Sequence, residues 1–182
     1  GSFVAIVCAL VVLLMLSLYP LVASVTNIPI RKFARSVAPV QAIGFGTRSS
    51  LATLPATYAA ADTLGIPEKV SGIVLPIAVT LFKFASPLAR TTGTYFIAHL
   101  YGIDLTPAVL IIIAIAIGLL SFYSPGIPSG GLLIMAPVYV SLGLPVEGIG
   151  ILIAIDLVVD MFLTMANVTA NVASSALITK IQ

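Results

Sequence analysis

The sequence predicts an all-α membrane protein: transmembrane helices plus two oppositely oriented re-entrant helical hairpins, arranged as an inverted repeat. Three observations carry this expectation. First, 60% of the residues are apolar and only 8% charged, with a mean hydropathy of +1.22, far from the averages of soluble domains. Second, apolar runs long enough to cross a hydrocarbon layer of roughly 30 Å alternate with shorter runs that Pro and Gly interrupt. Third, the basic residues are grouped. Arg31, Lys32 and Arg35 follow the first apolar run, Lys69 lies in a later polar break and Lys180 stands near the end, whereas the breaks around Asp104 and Glu147 carry no Lys or Arg. With the basic groups on the cytoplasmic side, the chain returns to that side at Lys69 and again at Lys180, which requires an even number of crossings between these landmarks.

Residues 1–182 read as one membrane domain. A helix over 3–30 comes first: its apolar run is interrupted only by small polar residues, Tyr19 and Pro20, and it exceeds the core of a signal peptide and lacks a basic leader, so cleavage is not expected. Residues 36–63 hold Pro39, Gly44, Gly46, Arg48, Ser49, Ser50, Thr53 and Pro55. They are too polar and broken for a full crossing and begin and end beside basic residues, which fits a re-entrant hairpin with half-helices meeting at 48–55. Residues 70–102 form a second transmembrane helix, interrupted at Lys83, Pro87 and Arg90. Residues 106–144 are two short apolar runs flanking Ser-Phe-Tyr-Ser-Pro-Gly-Ile-Pro-Ser-Gly-Gly at 121–131, and they read as a second hairpin entering from the opposite face. A helix over 149–179 closes the chain. Irregular backbone at membrane depth is tolerated only when it is buried in protein or lines a wet cavity, and in secondary transporters it marks the binding point. Two plainer readings stand beside this one: the Pro/Gly break is an ordinary loop outside the bilayer, or each short run crosses by thinning the bilayer.

The densest chemistry lies in the last helix. Asp156, Asp160, Thr164, Asn167 and Asn171 are spaced four, four, three and four apart, which puts them on one stripe. Intramembrane carboxylates face a partner or a wet cavity; for Thr164 alone, glue between helices is the simpler reading. Lys83 and Arg90, seven apart, share a face of the middle helix and supply the opposite sign. Pro87 lacks an N–H and frees a carbonyl one turn earlier, so a bend or unwound stretch is expected there. A purely structural ion-pair network is the alternative, more so for Arg90 than for Lys83, whose buried ammonium is able to exchange a proton.

These segments carry a resemblance. Arg48-Ser-Ser-Leu-Ala-Thr-Leu-Pro55 resembles the serine-rich first-hairpin tip of the dicarboxylate/amino acid:cation symporter (glutamate transporter) family. Gly126-Ile-Pro-Ser-Gly-Gly131 resembles its second-hairpin tip, and the stretch from Asp156 to Asn171 resembles its last helix. The likeness covers the C-terminal, transport-domain half of such a protein. It implies that scaffold and trimerisation helices lie in a half not contained in this chain, that the complete protein is a homotrimer, and that it sits in the plasma (inner) membrane. It also implies a substrate site. Asp160 would hold the amino group of an amino-acid-like solute and Asn167 its α-carboxylate. The tips would close over the solute through Arg48, Ser49 and Ser50 on one side and the backbone of 127–131, with Ile127, Pro128 and Gly131, on the other. Ser86, Leu163 and Thr164 would line the pocket.

Departures from the family pattern sharpen the expectation. Leu163 stands where acidic-substrate members have an arginine, so the clamp on a side-chain carboxylate is missing and a neutral solute is implied. Phe82-Lys-Phe-Ala-Ser86 replaces a segment that supplies sodium ligands, and Asn171 replaces a further aspartate. A site of backbone carbonyls near Thr80 would survive these losses. Thr80, Lys83, Arg90, Asp156 and Asn171 are therefore the candidate cation- or proton-coupling residues, with Lys83 in place of a bound sodium and coupling to H+ or weakly to Na+. No metal site is assigned with certainty and no cofactor beyond a coupling ion is expected. A channel or leak pathway and a non-transporting membrane module remain open. Enzymatic activity and nucleic-acid binding are not expected: the only histidine, His99, and the only cysteine, Cys8, form no nucleophile–base arrangement, and no nucleotide motif is present.

Overall fold

The computed structural model describes residues 2–123 and 128–181. Its described residues form helices and turns, with no strand among them. The first helix, α1 (Ser2–Val25), buries Val7, Val11, Met15, Leu18 and Val22, a stripe at helical spacing, while Leu10, Leu13 and Leu16 on the other face stay exposed. A helix apolar all round fits a hydrocarbon environment. It ends earlier than the sequence predicts. The Thr26 hydroxyl donates to the Val22 carbonyl and accepts the Ile28 N–H, and Pro29 (φ −62°, ψ 143°) starts α2 (Ile30–Thr47). Arg31, Lys32 and Arg35 thus lie in the opening turns of α2 rather than on a connection between helices.

Arg48 ends α2 in the left-handed region (φ 53°), its N–H bonded to the Gly44 carbonyl. A 3₁₀ turn at Leu51–Thr53 leads into α3 (Leu54–Leu64), where Pro55 suits the first turn because its missing N–H has no intrahelical acceptor there. Helices α2 and α3 pack on each other as a hairpin. After Gly65 (φ 78°), α4 (Glu68–Leu81) runs to a break at 82–85, and α5 (Ser86–Leu100) follows. The expected interruption is therefore narrower than drawn: Pro87 opens a helix rather than bending one, and Arg90 sits in regular helix.

The next pair is α6 (Pro107–Leu120), capped by the Thr106 hydroxyl and ending in a 3₁₀ turn at Ser121–Tyr123, and a second arm that is split. The sequence predicts one run from 132 to 144. The structure has α7 (Gly130–Leu133) and α8 (Ala136–Ser141), because Pro137 cannot continue the hydrogen-bond ladder of the preceding turn. The longest helix, α9 (Glu147–Ile181), closes the chain.

Helix α9 is the mast of the fold, packed along α1, α2 and α4. Between helices in lipid there is little hydrophobic drive, so association depends on close packing, which small residues permit. Ala166, Ala170, Ala173 and Ala176 of α9 are all buried, and a Cβ on Gly44 of α2 would stand only 3.3 Å from Thr164 and Val168 of α9. Three stretches, Ser2–Val25, Glu68–Leu100 and Glu147–Lys180, are long and apolar enough to cross a membrane. The chain is an integral membrane protein.

Candidate functional site

The break at 82–85 sits in the middle of the second membrane-length stretch, and it turns backbone and side-chain groups toward α9. Phe82 is extended (φ −91°, ψ 100°), so the ladder of α4 stops there. Lys83, 6% exposed, folds its ammonium back to donate to the Val79 carbonyl at 2.8 Å, a cation on the carbonyl end of a helix. The Ala85 N–H, at the start of α5, donates to Oδ1 of Asn167 at 2.9 Å. That bond fixes the amide's orientation and leaves its Nδ2 donor to serve another acceptor.

One turn further, Arg90 meets the acidic stripe. Its Nη1 lies 2.6 Å from Oδ1 of Asp156 and its Nη2 lies 3.8 Å from Oδ1 of Asp160. The other oxygen of Asp160 accepts the backbone N–H of Ser129 at 3.1 Å. Ser129, at the start of α7, is left-handed (φ 55°) although it is not glycine. A residue is held in such a conformation only when its surroundings over-determine it, and here the carboxylate of α9 is one of them. Asp156, Asp160, Arg90 and Lys83 are all buried. Lys83 and Arg48 also lie within electrostatic reach of Asp160. Arg90 is thus the cation in contact with this pair, and Lys83 and Arg48 act on Asp160 from further off. A void of about 10 Å³ lies beside Arg90 and Asp156, and a cavity of about 490 Å³ lies between α2 and α3 beside Arg31, Lys32 and Arg35.

The fold brings together Lys83, Arg90, Asp156, Asp160 and, through Ala85, Asn167. Ser86 and Thr164 are buried, and Thr164 adjoins Gly44 of the first hairpin. Arg48 and Ser49 are half-buried and Ser50 is buried at the first tip. Pro128 is exposed and Gly131 half-buried, while Ile127 lies outside the described residues.

Two side chains turn away from this cluster. Leu163, 2% exposed, packs with Val7, Val11, Ala89, Val159 and Ala166 in an apolar cluster, because it falls off the polar stripe of α9 onto the side facing α1. Thr80 is exposed and its hydroxyl donates to the Pro76 carbonyl, since α4 is still regular helix at that point and turns the side chain outward. Asn171 is fully buried, and both polar atoms of its side chain lack a hydrogen-bond partner among the described residues. Among those residues no group of three His, Cys, Asp or Glu could hold a metal ion.

One polar link was not anticipated. Gln41 of α2 donates through Nε2 to the Tyr19 hydroxyl (2.8 Å) and to the Thr169 hydroxyl (2.9 Å), tying α1, α2 and α9 together. Its signal was a lone amide between the apolar residues Val37–Val40 and Ala42–Ile43.

Comparison with known proteins bears on this arrangement. The family model described as the sodium:dicarboxylate symporter family matches residues 1–181. Similar proteins include excitatory amino acid transporter 5 of Mus musculus, 34% identical over 181 residues, which is 98% of this chain and 32% of that protein. The proton/sodium-glutamate symport protein of Bacillus subtilis (strain 168) is 26% identical over 180 residues, 99% of this chain and 42% of that protein. Excitatory amino acid transporter 3 of Mus musculus is 30% identical over 151 residues, 82% and 29% respectively. The chain spans less than half the length of these relatives.

Proposed function

This chain belongs to the sodium:dicarboxylate symporter family, and from that premise we propose that it is the solute-binding part of a secondary active transporter that moves a small carboxylate-bearing solute by alternating access. The observation that carries the reading is the Ser129 N–H on Asp160, next to the Arg90–Asp156 pair. It joins the second hairpin's tip to the buried acidic stripe, so a movement of that tip opens and closes the same groups that face the solute. In this reading the hairpins 36–63 and 106–144 are re-entrant from opposite faces and related as inverted repeats. Scaffold and trimerisation helices belong to the rest of the full-length protein, a homotrimer in the plasma (inner) membrane. Leu163 stands where acidic-substrate members carry an arginine and packs in an apolar cluster, so the usual clamp on a side-chain carboxylate is missing and a neutral amino-acid-like solute suits the site, unless Arg48 or Arg90 supplies a relocated cation.

Coupling follows from Lys83. Its ammonium sits on a helix-end carbonyl within reach of Asp160, the surroundings that a bound cation would want, and so replaces an exchangeable sodium. Transport is then coupled to H+ or only weakly to Na+; a relative named as a proton/sodium-glutamate symport protein lends support. Counterflow by the full-length protein in liposomes tests both parts. Saturable exchange that responds to a proton gradient and survives removal of sodium is expected, with Lys83→Met losing the proton response. Strict sodium dependence without a proton response would exclude the coupling proposal, and a non-saturable leak would exclude a carrier.

A further inference from the structure

We propose that the cavity between the two arms of the first hairpin holds the headgroup of an anionic phospholipid, taken from the membrane leaflet at the chain's basic edge. The cavity, about 490 Å³, lies between α2 and α3, within the size range of small-molecule sites. Its wall has two characters. Arg31, Lys32 and Arg35 supply three cations, Pro39, Ala56 and Ala59 supply an apolar side, and no Asp or Glu among the described residues lines it. All three cations are exposed, and among the described residues none of them is in an ion pair. A free phosphate makes no use of the apolar side. A glycerophospholipid carries its phosphate on an apolar body and matches both.

The cations also stand where a counter-charge is missing. They occupy the opening turns of α2, whose first turn holds no acidic residue, and Pro29 at its N-cap makes no side-chain hydrogen bond. Helices favour cations at the C-terminal end and anions at the N-terminal end, where free N–H groups point outward. Arg31 and Lys32 are therefore at the unfavourable end of their own helix. An anion placed there meets the cations and the helix end together. The depth agrees, because the basic residues mark the cytoplasmic edge, where anionic lipids are found and basic pockets between membrane helices bind their headgroups. The cavity is lined by 29–39 of α2 and 56–63 of α3, the parts of the arms away from the tip at Arg48 and Ser50, so the lipid braces the hairpin at its base.

Native mass spectrometry of the full-length protein, with phosphatidylglycerol (charge −1) or phosphatidylcholine (charge 0) added, tests this. One phosphatidylglycerol per protomer is expected to bind at least about tenfold tighter than phosphatidylcholine, since each Lys or Arg near an anionic surface contributes several-fold. Arg31→Gln/Lys32→Gln/Arg35→Gln is expected to lose that preference; the three side chains are exposed, so the fold is not at risk. Ala59→Phe, which fills the cavity and leaves the charges in place, is expected to weaken the same lipid. Lys69→Gln, on the same edge but outside the cavity, is expected to leave it unchanged. Equal binding of the two lipids would overturn the proposal, and so would equal losses in the Lys69 variant and the triple variant, which indicate a diffuse basic edge rather than a site. Release of the lipid by soluble glycerol 3-phosphate at a matching concentration would overturn it in favour of a free phosphate. A density map with protein from the rest of the full-length chain in the cavity would overturn it in favour of an internal contact. The carrier reading is tested by solute uptake and stands or falls apart from all of these results.

Discussion

Removing Arg90 strands two carboxylates, and the cost follows from the geometry. At 2.6 Å from Asp156 the guanidinium attracts the carboxylate by about 6 kcal/mol at an effective dielectric of about 20. Taking both charges out of water offsets much of this, so the pair adds little net stability over a well-packed apolar pair. Losing one partner is another matter: Asp156 is 2% exposed and has no water to turn to, and breaking a buried pair in this way costs about 3–5 kcal/mol. Arg90→Met, which keeps the length and apolar stem, is expected to lose that much, and Asp156→Asn to be destabilising for the complementary reason. The double variant is expected to be at least about 2 kcal/mol more stable than the sum of the single losses, within the range for contacting residues. Unfolding of the full-length protein in mixed micelles by added SDS, followed by helical circular dichroism, measures all three. Losses that add within about 0.5 kcal/mol, as for independent sites, would refute the pairing and with it the reason for placing Arg90 in the site.

Two further outcomes follow from backbone geometry. Ser129 offers Asp160 a main-chain N–H from a left-handed conformation, so Ser129→Gly keeps the donor, relieves roughly 1 kcal/mol of backbone cost and is expected to transport normally. Ser129→Pro forbids the conformation and removes the donor, and a loss of at least tenfold in uptake is expected; equal losses in both variants would assign the role to the hydroxyl instead. Gly148 of α9 faces Ile97 of α5 so closely that an added Cβ would collide with its methyl group. Gly148→Ala is expected to destabilise by about 1–3 kcal/mol through overpacking, and relief of that loss in Gly148→Ala/Ile97→Val, measured by the same unfolding, would confirm the contact.

What could be read from the residue order was local. The polar stripe of α9 repeats over several turns, so that helix and its inward face were visible, whereas α1, apolar all round, showed its length but not which face it buries. Pro and Gly marked the breaks between 48 and 55 and beyond 121, because they change what backbone geometry is allowed. Boundaries set by competition between neighbours were less visible. Pro29 hands the basic residues to α2, and Pro137 divides the second arm into α7 and α8; a Pro within an apolar run reads equally as a kink, a first turn or an end. Pairings across the fold were least visible. That Arg90, rather than Lys83, takes Asp156 depends on the rotation of α5 against α9, 66 residues away in sequence. The resemblance put Leu163 at the pocket and a set of backbone carbonyls near Thr80; that the Leu163 side chain packs in the apolar cluster with α1 and the Thr80 side chain is exposed was not readable from the order of residues. Gln41 was a single polar residue whose partners lie on two other helices.

The account turns on the buried carboxylates of α9, under the second hairpin's tip, being where the solute rests. A density map of the full-length protein in lipid nanodiscs, with a saturating amount of a solute that it transports, tests this most directly. Solute density beside the Asn167 amide and the Ser129 tip, with Arg90 still on Asp156 and both tips at mid-bilayer depth, is the expected result. Density elsewhere, or hairpin tips lying at the membrane surface away from Asp160, would contradict it.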